Sequence, residues 1–329
     1  YQSGYFVTAN TLGMLSLSGP EDPNFDSYVM DEFAGGNYDA EEQIAAFYAM
    51  IVDKLGDDVT LIAGARFEST SINYTGQVFD EEEDELPSDI GSVSGGNDYY
   101  NILPNLTLQW DVNDELNLNI AFTQSIARPS YYDLVPYEYS NSDDQELALG
   151  NPDLKSSLST NFDFMGEWYF GGLSLLSFGY FSKDIKDWIY QYTTNNYTYA
   201  GVDGYELSQL RNGEKASVSG FELGFQTKFL KNFTFMGNYT STDSSTNNVE
   251  GRDDVPLTGQ VDDMYNLSLA FENKKFFVRA SMNYASEALD ELSGDAYEDR
   301  YYDEQTFVDV NANYKVCLLY TSPSPRDNT

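Results

Sequence analysis

Apolar and polar residues alternate with a period of two along most of this chain. In Leu116-Asn117-Leu118-Asn119-Ile120-Ala121-Phe122-Thr123 every even position is apolar and every odd one is small or polar. Val308, Val310, Ala312 and Tyr314 alternate in the same way with Asp309, Asn311, Asn313 and Lys315. So do Phe221, Leu223, Phe225 and Phe229 against Glu222, Gly224, Gln226 and Lys228. Successive side chains of a strand point to opposite faces, so each segment has one apolar and one polar face. The pattern predicts eleven strands, near 42–54, 58–78, 100–111, 115–129, 156–169, 172–190, 215–230, 232–242, 260–273, 275–285 and 306–316. The phase change between Leu175 and Leu176 predicts a bulge there.

The predicted links alternate in length. Tight ones such as Leu55-Gly56-Asp57, Val112-Asn113-Asp114, Gly171 and Lys231 are each followed by a long one of roughly twenty residues. That asymmetry describes an antiparallel up-and-down meander with short turns at one rim and long loops at the other. Clean alternation lasts about nine to eleven residues, the length a tilted strand needs to cross a bilayer. A strand of a soluble sandwich runs about five to six residues. The fold class expected is therefore all-β, a transmembrane antiparallel β-barrel with its apolar face towards lipid and its polar face lining a wet lumen. Trp110 and Trp168 fall on the apolar face beside short turns, where an interfacial aromatic girdle belongs.

Charge sharpens the two rims. The chain has 54 acidic and 17 basic residues, a formal charge of −37. The long-loop segments 1–42, 79–99, 132–155, 193–213, 243–259 and 286–305 hold 36 of the acids and 4 of the bases, or −32. The acidity belongs to one rim, and it excludes a nucleic-acid partner. Histidine is absent and cysteine occurs once, so His-dependent catalysis, His-ligated metals and internal disulfides are excluded. No dinucleotide, phosphate-loop or serine-hydrolase motif occurs. No enzyme activity, cofactor or metal site is expected. The run Asp80-Glu81-Glu82-Glu83-Asp84-Glu85 reads as a self-repelling solvated loop. The first ten residues lack the basic start and apolar core of a signal peptide. Residues 317–329 break the pattern, resemble an adaptor read-through tail and are expected to be non-native.

Several stretches resemble the barrel of TonB-dependent outer-membrane receptors. They are Leu61-Ile62-Ala63-Gly64-Ala65-Arg66-Phe67-Glu68, Ile102-Leu103-Pro104-Asn105-Leu106-Thr107-Leu108-Gln109-Trp110 and Gly179-Tyr180-Phe181-Ser182-Lys183-Asp184-Ile185. The most specific likeness pairs Ile126-Ala127-Arg128-Pro129-Ser130 with Gly150-Asn151-Pro152-Asp153-Leu154-Lys155. The resemblance implies that residues 42–316 form about 11 strands of a 22-stranded barrel, with 1–41 an extracellular loop segment. It implies a Gram-negative outer-membrane importer of a ferric siderophore, vitamin or glycan. Its partners would be TonB and the inner-membrane energy-transducing complex, reached through a plug, together with membrane lipid and lipopolysaccharide. A passive porin-like or adhesin-type barrel and a secreted β-rich binding protein are the alternatives. Candidate ligand contacts in the long loops are Arg128, Tyr131, Tyr132, Tyr137, Tyr139, Arg211 and Arg252. The simpler readings are packing of the loops for the tyrosines, a role at the loop base for Arg128, and local ion pairing for Arg211, Arg252 and Arg300.

A barrel segment with open edges leaves backbone groups unpaired in lipid. The isolated chain is accordingly expected neither to insert stably nor to stay soluble. A sharp, monomeric, heat-resistant band of the purified chain in detergent electrophoresis would overturn this.

Overall fold

The computed structural model describes residues 37–78, 91–142, 144–293 and 295–316. Eleven strands make a wall: β1 (Tyr38–Lys54), β2 (Val59–Val78), β3 (Gly91–Asn113), β4 (Leu116–Ala127), β7 (Ser157–Phe170), β8 (Ser174–Tyr199), β9 (Val202–Phe229), β10 (Phe233–Asn247), β11 (Asp263–Glu272), β12 (Phe276–Ala285) and β15 (Gln305–Tyr314). Four short strands lie in the long links: β5 (Glu138–Asn141), β6 (Glu146–Leu149), β13 (Ala288–Ser293) and β14 (Arg300–Tyr302). A single helical turn, α1 (Tyr131–Leu134), follows β4.

The wall order is β1-β2-β3-β4-β7-β8-β9-β10-β11-β12-β15, each strand antiparallel to the next. This is the up-and-down meander that the period predicts. Among the described residues the sheet is not closed, since on this path β1 pairs only with β2 and β15 only with β12. The short rim is turned by asparagine side chains: Asn113 Oδ1 accepts from the Glu115 and Leu116 amides, and Asn273 Oδ1 from those of Lys275 and Phe276.

Register places the apolar residues on the outward face in two aromatic rows. Nearer the long loops run Phe162–Tyr180 (6.4 Å between centroids), Phe221–Tyr239 (5.8 Å) and Tyr265–Tyr284 (4.8 Å). Nearer the short turns run Trp168–Phe170 (4.8 Å), Phe229–Phe233 (5.6 Å), Phe233–Phe271 (5.0 Å) and Phe276–Tyr314 (4.8 Å). The rows are six residues apart on β11 and eight on β9, about 20–27 Å along the strand. Among the described residues, no helix is long and apolar enough to cross a membrane.

The buried core lies elsewhere. Trp188, Tyr190, Ala216, Val249, Val255, Leu289 and Leu292 form one cluster; Ile72, Tyr74, Leu134, Val135 and Leu154 a second; Leu147, Tyr205 and Leu207 a third. All three sit at the long-loop rim, where the links fold together into a cap. Its frame is a branch of the same sheet, of order β5-β6-β9-β8-β13-β14. The upper halves of β8 and β9 are its centre, with β6 parallel to β9 on one edge and β13 parallel to β8 on the other.

Three expectations change. Segment 193–213, expected as a long loop, continues the β8–β9 hairpin to a two-residue turn at Ala200 and Gly201 (φ 48° and 79°). Positive φ at both positions suits the right-handed twist of the flanking strands. The phase change is not at Leu175, whose pairing with Tyr169 and Gln226 is regular. The β8–β9 ladder passes Asp187 (φ 51°) without a change of register, and its register shifts fall between Thr194 and Tyr197 and between Tyr197 and Tyr199; Leu175 is simply an apolar residue on the inner face. The first strand begins at Tyr38, so residues 38–41 belong to the wall. The rest of the 1–41 segment, the acidic run 80–85 and the tail 317–329 lie outside the described residues.

Trp188 is 4% exposed and packs its indole over Gly213, its partner in the ladder, where a Cβ would overlap the ring. Overpacking of this kind costs about 1–3 kcal/mol. In a full-length barrel, Gly213→Ala is expected to lower the urea midpoint and red-shift tryptophan fluorescence. Trp188 is the buried tryptophan; Trp110 and Trp168 are 44% and 46% exposed.

Candidate functional site

The inner face of the wall and the underside of the cap border an open cavity of about 580 Å³. Ser125, Ser157 and Ser159 line it from the wall, Arg128 and Asp133 from the link after β4, and Gln260 from the link after β10.

An ion cluster fixes the foot of the cap. Arg128, at the end of β4, reaches across the lumen face to β2 and β1. It pairs with Glu68, donates to Thr70 Oγ1 at 3.2 Å, and lies 3.6 Å from Glu42. Glu68 is 6% exposed at its side chain and is also held by Arg66 at 2.6 Å. Tyr131 donates to Glu42 at 3.1 Å, so the first turn of the link is tied to β1 as well. Arg128 and Tyr131 thus converge on Glu42. The sequence reading missed Glu42, Arg66 and Glu68, although Arg66 and Glu68 show the i, i+2 spacing of neighbours on one polar face.

The second half of the resemblance motif completes the anchor. A Cβ at Gly150 would overlap the Val135 carbonyl, so only glycine lets these two backbones approach. The Asn151 amide donates to Asp133 O at 2.7 Å, and its side chain to Leu210 O at 2.9 Å on β9. Asn212 accepts from the Lys155 amide at 2.8 Å and donates to Lys155 O at 3.0 Å. The two motif halves are therefore two ends of one link, pinned to the wall by Arg128 and to the β8–β9 hairpin by Asn151.

Tyr38, Tyr131, Tyr132 and Tyr137 gather on the β1 side of the cap, while Tyr139 lies on β5, whose hairpin partner β6 pairs with β9. Tyr132 stacks on Tyr137 at 4.2 Å with planes 20° apart, and Tyr38 lies 5.8 Å from Tyr132. Tyr131, Tyr132 and Tyr139 are 42%, 36% and 37% exposed. Burial raises the phenol pKa values of both Tyr137 and Tyr132 above the ordinary value. Both rings are neutral hydrogen-bonding surfaces at physiological pH.

The other two arginines stand apart from this cluster. Arg211 lies 3.7 Å over the Tyr192 ring and donates to Glu250 at 2.9 Å, where Tyr190 also donates at 2.7 Å. Arg252 grips Asp299 through two hydrogen bonds of 3.1 and 2.6 Å, which raise its pKa. Arg211 ties the hairpin to the link after β10; Arg252 ties that link to the one after β12. The partners Glu250 and Asp299 carried no sequence signal, because each meets its arginine only through tertiary folding.

Removing one member of a buried ion pair leaves the other charge uncompensated, at about 3–5 kcal/mol. With Arg66 still bound to Glu68, Arg128→Ala is expected at the low end, about 3 kcal/mol. Urea unfolding of the full-length barrel measures it, and the double variant Arg128→Ala with Glu68→Gln should recover part of the loss.

The geometry above can be set beside known proteins. The TonB dependent receptor-like, β-barrel family matches residues 3–320. No match was found among curated protein sequences. Among solved structures, the ferric-catecholate import receptor Fiu from K12 E. coli superposes with a TM-score of 0.63 at 16% identity, over 85% of this chain and 39% of that one. The copper transporter OprC gives 0.63 at 14% identity, over 84% and 40%. The siderophore receptor PiuA from Acinetobacter baumannii gives 0.59 at 13% identity, over 85% and 38%. The chain therefore spans about two fifths of the length of these structures. With the family matched over nearly its whole length and the meander built as that fold requires, the chain belongs to the TonB-dependent receptor β-barrel family.

Proposed function

We propose that this chain forms part of the wall and the outer cap of a receptor that imports a scarce iron chelate across the outer membrane of a Gram-negative bacterium. The observation that carries the reading is the cap: long links with their own buried core fold over a polar lumen and leave a cavity beneath. An open pore for passive flow has no use for so much ordered structure across its mouth. The outward aromatic rows and the apolar band between them support placement in a bilayer.

Ligand chemistry follows from the exposed rings. Tyr132, Tyr137 and Tyr139 offer flat faces and hydroxyls to the catecholate type of chelate named for one structural neighbour. Tyr131 stands beside them on Glu42. Arg128, Arg211 and Arg252 act through the loops they hold, since each is already engaged by a carboxylate. Family membership supports TonB and its inner-membrane complex as the energy source, acting through a plug in the lumen. The receptor carries its ligand and does not transform it.

Uptake of radiolabelled ferric catecholate into cells expressing the full-length receptor tests this. Uptake is expected to saturate and to stop when a protonophore is added or TonB is deleted. Loss of two stacking rings in Tyr132→Ala/Tyr139→Ala should raise the half-saturating concentration about tenfold. Uptake that persists without energy and rises linearly with concentration would replace this reading with a passive pore.

A further inference from the structure

The joint between the wall and the central hairpin is closed by a single carboxamide. Asn212 Oδ1 accepts from the Lys155 amide at 2.8 Å, while its Nδ2 donates to Lys155 O at 3.0 Å and to Asp187 O at 2.7 Å. The residues leading into β7, the positive-φ step of β8 at Asp187 (φ 51°) and β9 itself all meet on this side chain. Ser157 adds a second donor to Asp187 O at 3.0 Å. Asparagine is the shortest side chain that supplies an acceptor and two donors together.

The next residue is fixed for a different reason. Gly213 is buried in ordinary extended strand, a backbone that any residue adopts, but the Trp188 indole lies where a Cβ would stand. Two independent packing demands thus place an Asn-Gly pair here, the one such pair in the chain. Chemically this pair is labile, because glycine puts no side chain in the way of attack by its own backbone nitrogen. That nitrogen bonds to the Asn212 side-chain carbonyl carbon, and the carboxamide nitrogen leaves as ammonia, taking the proton that the glycine nitrogen gives up. Water then opens the cyclic imide to aspartate or isoaspartate.

The attack requires the carboxamide to swing back onto the Gly213 nitrogen. Hydrogen bonds to Lys155 and Asp187 hold it away, and the ladder keeps residues 212 and 213 extended opposite Ile189 and Trp188. Reaction therefore waits on local opening of the hairpin. The product cannot close the joint again. A carboxylate donates nothing, and it would turn a negative charge on the Lys155 and Asp187 carbonyls. Isoaspartate also inserts a methylene into the main chain and spoils the register above it.

We propose that Asn212-Gly213 is a deamidation site that the closed cap protects, so that opening of the β8–β9 hairpin leaves a permanent chemical mark at its base. The mark is independent of the ligand that the receptor takes. A marked receptor keeps its wall but holds the hairpin, and the links paired to it, loosely.

The test ages the full-length receptor in detergent and mildly alkaline buffer, with and without urea at a concentration that frees the cap but leaves the barrel heat-modifiable. Peptide mass spectrometry reads the change from amide to acid at Asn212. The emission of Trp188, seated beside Gly213, reads whether the hairpin recloses once urea is removed. Conversion is expected to be at least about tenfold slower in the closed receptor than in the opened one. After urea removal, the residual red-shift should grow in step with the converted fraction. Asn212→Gln, whose longer side chain cyclises far more slowly, should stay unconverted in urea. Equal rates with and without urea, or no conversion in either, overturn the protected site. A converted receptor whose emission returns fully overturns the effect on the cap. Because that receptor is converted after folding, the answer stands even where Asn212→Asp does not assemble.

Discussion

Cohesion of the wall depends on its backbone ladder. A soluble domain is held by side chains buried between layers, but this wall is one layer thick and turns its apolar face outward. Leu223, Phe225, Leu267 and Leu269 are 37–44% exposed on that face, so they supply no core of their own. What keeps neighbouring strands together is the continuous run of antiparallel hydrogen bonds from β1 to β15. In lipid those groups have no alternative partners. The long regular strands and the sparing use of bulges in the wall both follow from this.

The cap obeys the opposite rule. Its links stand in water and must bury apolar surface to hold a shape. Leu134, Leu147, Leu154, Leu289 and Leu292 are almost fully buried there. Charged clasps hold this core at separate places: Arg128 on Glu68 joins it to the wall, while Arg211 on Glu250 and Arg252 on Asp299 tie its own segments together. A cap clasped within itself and pinned to a rigid wall at its foot is ordered without being part of it. It presents the tyrosines of the link after β4 in defined positions while leaving a cavity below.

Much of the wall was legible in the sequence because burial on one face imprints a period of two. Each of the eleven wall strands overlaps a segment that the alternation marks, although β3 starts at Gly91 inside the expected loop 79–99, and the Asn113 turn is a local motif. The hairpin above Asp187 was not legible. From Thr193 to Tyr199 it exposes polar residues such as Asn195, Asn196 and Thr198, so no hydrophobic period marks it as strand. The motif around Arg128 and Gly150 could be recognised but not explained. Its reason, the approach of Gly150 to Val135 and of Asn151 to β9, exists only in three dimensions. Glu250 and Asp299 could not be singled out for the same reason, in segments already crowded with acids.

The parallel pairing of β6 and β13 with the central hairpin has a kinetic consequence. β13 meets β8 at Leu292–Tyr192 and Ser293–Thr193, about a hundred residues apart in the chain. β6 meets β9 across some sixty. Wall neighbours, by contrast, are joined by tight hairpins or by one link each. Contacts between distant parts of a chain form slowly, because the loop between them must close first. The wall therefore zips from hairpin to hairpin, and the cap locks only after its strands are in place. The cap is then the last part of the molecule to exist, and a chain that stalls in assembly displays a wall without its cover.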